Sequence, residues 1–389
     1  MILKLLTHIS RVLVGLLFIY SGFVKLVDPI GSQYKFQEYF SEGVLNMEFL
    51  IPYTLPFAIL LIISELVFGV MLLVGYKPKL TVWSIFSLNL VFLFLTWYSY
   101  TYNKVTDCGC FGDFLKLKPI ETFVKDIIYT ILSLFLVFNT GNLKELFPRN
   151  KTLGPLSIRT IVVVILIGAS TWFCFQNFYL DKPMVDFRPF AEGIDMKAAK
   201  EACDADVAIV ETIFTYNNSE TGKQQLVNSK DIMKFPYLWE EKNAAGETIW
   251  KADKEKTETK TIHEGCNSQI QYFRFDDILN NSKYNFLVVG GNLDKSDKAA
   301  FKQISAVASA GEKEGYTTKA LYYYTDKQTV DEFRHDVNGA YDFSTADDKL
   351  LKTIVRANPG LVLLKDGKVI KKWHHKHIPT YDEVKAFMN

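Results

Sequence analysis

The sequence predicts an α-helical membrane bundle followed by a soluble α/β domain that carries a small β-rich layer. Three observations predict it. Apolar runs dominate the 389-residue chain up to about residue 180, and an ordinary mixture rich in Lys, Asp and Glu follows. Several of those runs reach the roughly 20 apolar residues needed to cross a hydrocarbon core. From residue 283 onward, strand-like and helix-like segments alternate. A chain this long is more naturally two domains than one. Its net charge of +1 gives no reason to expect a nucleic-acid partner.

The apolar runs cover residues 9–27, 54–75, 80–100, 127–138 and 158–178. The fourth is the shortest, because Lys125 and Asp126 stand directly before it. The first reads as an uncleaved span, since it has no small-residue cleavage site and continues through Lys25. With five spans, Lys4 and Arg11, then Lys77 and Lys79, then Lys144, Arg149, Lys151 and Arg159 all fall on one side, which is the cytoplasm. The loops 28–53 and 101–120 fall on the other side, although Lys104, Lys116 and Lys118 make the second of them basic. The expectation is a multi-pass inner-membrane protein with a cytoplasmic N-terminus and a periplasmic or extracellular C-terminal domain.

The soluble half reads as β-rich over residues 181–282, with strands in VAIVETIFTY, ETIWKADK and KTIHEG and a turn at NNSETGK. Cys203 and Cys266 are its two cysteines; in an oxidising compartment they either pair or stay as separate buried thiols. Residues 283–389 then run strand, helix, strand, helix, helix, hairpin, helix, with the hairpin turn at KDGK. WHHKH, holding His374, His375 and His377, reads as a solvated basic cluster rather than a ligand set.

Within the membrane half, TDCGCFGD places Cys108 and Cys110 on either side of one glycine, on the side where disulfides persist. Glycine supplies the backbone freedom that a ring over one residue requires. An exposed disulfide of that kind suits redox exchange, and a cation nearby would favour the attacking thiolate. Lys104, Lys116, Lys118 and Lys125 are close in sequence. A metal site is disfavoured, because the membrane half adds only His8 and Cys174 as soft ligands. Glu65 stands inside the second span, where an acid is costly and marks a candidate functional group. It either pairs with Arg11 or Lys25 or stays protonated. Lys125 and Asp126 stand where they could face the C-G-C loop, and Ser21, Gly22 and Gly69 suit close helix packing.

Two resemblances add to this. RVLVGLLFIYSGFVKLVDP, SELVFGVMLLVG and DCGCFGD resemble the DoxX and MauE group of small helical membrane proteins, over about residues 5–140. The C-G-C-F-G segment points to the MauE-like branch, which implies disulfide chemistry of exported proteins. NPGLVLLKDGKVIKKW resembles the thioredoxin segment in which a cis-proline precedes the last hairpin, and Pro359 would be that proline. The place of the thioredoxin C-x-x-C reads GGNLDKSDKAAF and holds no cysteine, which implies a binding module, with Pro359 at the partner-binding loop. The expected organisation is a four-helix DoxX/MauE-like membrane domain (1–140), a cytoplasmic loop and fifth span (141–180), a β-rich segment (181–282) and a degenerate thioredoxin-like domain (283–389).

The leading functional expectation is a membrane thiol–disulfide oxidoreductase cycling Cys108 and Cys110. Glu65, Arg11, Lys25, Lys125 and Asp126 are its supporting groups. Its partner is an exported client or envelope protein, and a quinone is the candidate acceptor, with no other cofactor and no metal. The alternative is a non-enzymatic assembly or scaffold subunit whose outer domain binds another envelope protein. No P-loop, dinucleotide fingerprint, zinc pattern or hydrolase triad occurs.

Overall fold

A computed structural model describes residues 2–102, 104–105, 109–112, 114–115, 117–143, 158–179, 186–263, 265–266, 268–323 and 326–388. The chain divides into two compact units, Met1–Ala191 and Glu192–Asn389.

The first unit is helical: α1 (Ile2–Val27), α2 (Pro29–Phe40), α3 (Thr54–Val74), α4 (Pro78–Tyr102), α5 (Pro119–Phe138) and α6 (Ile158–Tyr179). Among the described residues, four stretches are long and apolar enough to cross a membrane: α1, α3 with the turn before it, α4 and α6. Their outward faces carry Leu13, Leu16, Trp83, Phe94, Trp97, Ile165 and Trp172 in exposed positions. Apolar surface on that scale needs lipid to cover it. The protein is therefore a multi-pass membrane protein. Helix α5, 20 residues long, carries Glu121, Lys125 and Asp126 in its first half. Leu143, just past its end, packs with Leu72 and Val82 at the pole opposite the Cys110 loop.

Helices α1 and α3 pack most closely, and glycine is the reason. A Cβ on Gly69 would lie 2.9 Å from the Gly15 carbonyl oxygen, and one on Gly22 would lie 2.8 Å from Leu66 Cγ. Small residues at such contacts let helices approach in lipid. Helix α2 occupies part of the 28–53 segment, where the sequence reading has only a loop. Asp28 caps it by accepting from the Gly31 amide, and Pro29 fills the first turn.

The second unit begins with α7 (Met196–Ala205), a helix inside the segment expected to be β-rich. A three-stranded antiparallel sheet follows in the order β2 (Gln224–Asn228), β1 (Ile209–Asn218), β3 (Trp250–His263). The two strands expected in ETIWKADK and KTIHEG are one continuous strand, β3. A short helix, α8 (Tyr237–Glu240), lies between β2 and β3, and α9 (Asp276–Leu279) precedes the larger sheet. Cys203 and Cys266 form a disulfide with Cα atoms 5.1 Å apart, closing the chain around the small sheet.

The larger sheet has the order β6 (Asp342–Thr345), β5 (Thr317–Tyr322), β4 (Tyr284–Val289), β7 (Gly360–Lys365), β8 (Lys368–His374). β4 is parallel to β5 and antiparallel to β7, and β5 is parallel to β6. α10 (Lys298–Lys313), α11 (Lys327–Asp336), α12 (Asp348–Ile354) and α13 (Tyr381–Lys385) complete it. All six residues of β4 are buried, as a strand covered on both faces requires. Tyr284, Phe286 and Val288 on one face pack with Phe301, Ile304, Phe333 and Val384. The β7–β8 turn uses Asp366 and Gly367 at φ 47° and 73°, the left-handed pair of a tight hairpin. A central strand with a parallel neighbour on one side, an antiparallel hairpin on the other and a cis Asn358–Pro359 bond entering that hairpin make this unit thioredoxin-like.

Candidate functional site

Cys110 lies in a short turn in which the Gly112 amide donates to the Gly109 carbonyl. It is disulfide-bonded. Cys108 and its neighbours Asp107 and Asp113 lie outside the described residues. Gly109 is confined in two ways. Its φ is +68°, and a Cβ there would lie 2.7 Å from Lys35 Cγ. The sequence explains the first requirement. The second appears only when α2 lays the Lys35 stem across the turn, with its ammonium 2.8 Å from Glu38.

The turn is docked on the end of α1. Ser21 Oγ donates to the Cys110 carbonyl at 2.9 Å. Lys25, one helical turn further along the same face, donates from Nζ to Ser21 Oγ at 2.6 Å and to both Glu65 carboxylate oxygens at 2.9 Å. Lys25 and Glu65 are both buried. The structure thus resolves the alternatives for Glu65: its partner is Lys25, and Arg11 is elsewhere. Arg11 donates to the carbonyls of Leu72 and Leu73 at the C-terminus of α3, the carbonyl end where a cation is favoured.

Lys125 and Asp126 form an ion pair at 2.7 Å, and the Lys125 ammonium lies 5.1 Å from the centre of the Phe111 ring. Phe111 also packs on Tyr20, with ring centres 5.6 Å apart. The second Asp126 oxygen, Oδ2, is buried without a hydrogen-bond partner among the described residues. Four charged side chains from α1, α3 and α5 therefore gather beneath one turn. Of the lysines near the motif in sequence, Lys125 is placed against it, Lys116 lies outside the described residues, and Lys104 is exposed. The cations that sequence proximity misses are Lys25 and Lys35. Ser21 contributes as a tether as well as a small residue.

Lys25, Gly109 and Cys110 also line a narrow cleft of about 50 Å³, together with Lys35, Phe36, Tyr39 and Phe92. The cleft lies at the pole of the bundle where Asn177 of α6 donates to the Leu26 carbonyl, so the last helix of the unit ends beside this site.

In the second unit, the turn that replaces a dithiol is Gly290–Leu293. Asn358 holds it. The Asn358 Oδ1 accepts from the Gly291 amide at 2.8 Å, and its Nδ2 donates to the Asn292 carbonyl at 3.0 Å. Ser296 Oγ also donates to Oδ1 at 2.5 Å. Pro359 follows directly. The histidine cluster differs from the solvated reading: His374 is buried at the end of β8, and its Nδ1 accepts from the Lys376 amide at 3.2 Å. Burial pushes His374 down to about 3, so the ring is neutral near pH 7. Among the described residues no cluster of three or more His, Cys, Asp or Glu could hold a metal ion.

Residues 3–139 match the family described as methylamine utilisation protein MauE. The thioredoxin domain of a thiol-disulfide oxidoreductase from Bacteroides vulgatus is a structural neighbour at 13% identity, covering 30% of this chain and 84% of that one, with a TM-score of 0.25. No curated protein matches the chain. The membrane unit is therefore MauE-like over residues 3–139, and the unit that follows is thioredoxin-like by its strand order.

Proposed function

We propose that this protein is a membrane thiol–disulfide oxidoreductase whose working pair is Cys108 and Cys110. The observation that carries the reading is a disulfide-bonded Cys110 in a glycine-centred turn, fastened through Ser21 to a buried lysine. The remaining cysteines offer no second exchangeable pair: Cys174 is buried, and Cys203 and Cys266 are bonded to each other in a separate unit. In the forward step a client dithiol attacks the Cys108–Cys110 disulfide. The client gains a disulfide, and Cys108 and Cys110 gain two electrons and two protons. A two-electron membrane acceptor of the quinone class then takes both electrons and both protons, leaving a quinol and restoring the disulfide. The cleft beside Cys110 is smaller than the usual 300 Å³ or so of a ligand site, so a quinone ring would need α2 to move aside.

The site faces outward from the cytoplasm on this reading, with the soluble unit on the same side and clients brought by that unit. The basic loops support that orientation. A second reading has its own support. Gly290–Leu293 holds no cysteine and is closed by Asn358, which favours a binding or scaffold role for the soluble unit.

The test is thiol trapping in intact cells: acid quench, alkylation with a mass tag, and readout of Cys108 and Cys110 before and after a reductant pulse. Recovery of the disulfide that stops when respiration is blocked supports the oxidoreductase. A pair locked in one state throughout, with client disulfides unaffected by Cys108→Ser, supports the scaffold.

A further inference from the structure

We infer that Lys25 is the positioning residue of the C-G-C turn: its ammonium fixes which way the Ser21 hydroxyl points and supplies the positive charge beside Cys110. The inference rests on reading Cys108 and Cys110 as a redox pair, and it names how that pair is tuned.

A serine hydroxyl has one proton to give and two lone pairs, whereas a lysine ammonium only donates. Lys25 Nζ lies 2.6 Å from Ser21 Oγ, so the serine must accept there. Its single proton is then left for the Cys110 carbonyl. Without the ammonium, that hydroxyl is free to turn back to the carbonyl one helical turn earlier, the usual partner of a helical serine. One cation thus holds the turn on the helix.

The same cation lines the cleft that Gly109 and Cys110 line. When the disulfide is reduced, a positive charge there favours the thiolate over the thiol. Two other cations among the described residues around the turn are each in an ion pair. Lys35 is bonded to Glu38 on α2, and Lys125 to Asp126 on α5. Lys25 is itself paired with Glu65 on α3, and among the described residues Tyr20 on α1 and Tyr39 on α2 are further titratable groups nearby. The arrangement is directional: Lys25 stands between Glu65 and the Ser21–Cys110 link, so the positive end of the pair faces the turn.

The experiment is a pH profile of alkylation. Full-length protein in detergent micelles is reduced chemically, treated with iodoacetamide at pH 5–9, and Cys108 and Cys110 are followed peptide by peptide by mass spectrometry. Lys25→Met/Glu65→Leu removes both charges, so no buried ion is stranded. It is expected to slow alkylation at pH 7 about tenfold by moving the profile to higher pH. Lys25→Arg is expected to restore the wild-type profile. Lys25→Gln/Glu65→Gln, which replaces the ion pair with two neutral amides of similar size and likewise strands no charge, is expected to move the profile to higher pH too, and it decides the matter if the first double variant does not fold. A profile unmoved in a folded double variant overturns the inference. Because the thiols are generated chemically, the profile is obtained whether or not the pair turns over in cells, so this inference and the proposed function fail separately.

Discussion

In the membrane unit, Arg11, Lys25, Glu65, Asn89 and Asp126 are buried, while Trp83, Trp97, Ile165 and Trp172 face outward. In the soluble unit, Phe286, Val288, Phe301, Leu361 and Leu363 are buried around one sheet. The soluble interior is held by removing apolar surface from water. Lipid offers a helix no such gain, so the bundle relies on close glycine-mediated packing and on polar groups that have no better partner than one another. The difference teaches where to look for chemistry. In the soluble unit a buried Phe is ordinary. In the bundle a buried Lys25–Glu65 pair directly under a cysteine-bearing turn is what needs a functional account.

Single substitutions should break the two interiors differently. Lys25→Met strands Glu65 in the bundle and is expected to cost about 3–5 kcal/mol, whereas Lys25→Met/Glu65→Leu should recover most of it. SDS titration of the full-length protein in mixed micelles, followed by helical circular dichroism, measures both. Equal losses in the single and double variants would mean that the pair contributes through packing alone. Next in size is the disulfide of the soluble unit. Replacing Cys203 and Cys266 with serine frees a loop of 63 residues and should cost about 4 kcal/mol. Differential scanning calorimetry should show this in the soluble unit's transition, with the membrane unit's transition unmoved.

The smallest effect is a pH dependence. Burial holds His374 at about 3 in the folded chain, below its ordinary value near 6.5. The unfolded chain therefore binds the extra proton first as pH falls. The stability this neutral ring contributes is complete above about pH 6.5 and is lost progressively toward pH 3. His374→Gln should flatten that part of the soluble unit's stability profile, as read by denaturant midpoints between pH 4 and pH 7.

The apolar runs of α1, α3, α4 and α6 are legible because lipid demands about 20 consecutive apolar residues and little else does. The thioredoxin-like strands β4, β5, β7 and β8 are legible for a related reason: buried strands bounded by turn residues leave a short, dense signal. β6 is four residues long, and its pattern is too brief to separate from a loop. α2 is masked by its mixed composition, although Asp28 before Pro29 is a helix-start signal. The C-G-C turn stands out in the sequence, but its support does not. Counting residues gives the depth of Glu65 and Lys25 along their spans and says nothing of rotation or of how far a side chain reaches. Lys25 sits near the end of α1, and its four-carbon stem carries the ammonium inward to Glu65. Lys35 on Gly109 depends on the placement of α2, which no local pattern encodes.

The Cys203–Cys266 bond gives the soluble unit a mechanical property. Tension on the chain between the membrane anchor and the C-terminus passes from one cysteine to the other across a Cα separation of 5.1 Å. The 63-residue interval between them, which would extend to roughly 200 Å if pulled straight, never enters the load path. The three-stranded sheet is thus spared any pull between the chain's ends that the surrounding fold must bear. A reducing environment would remove that protection and place the sheet in series with everything else.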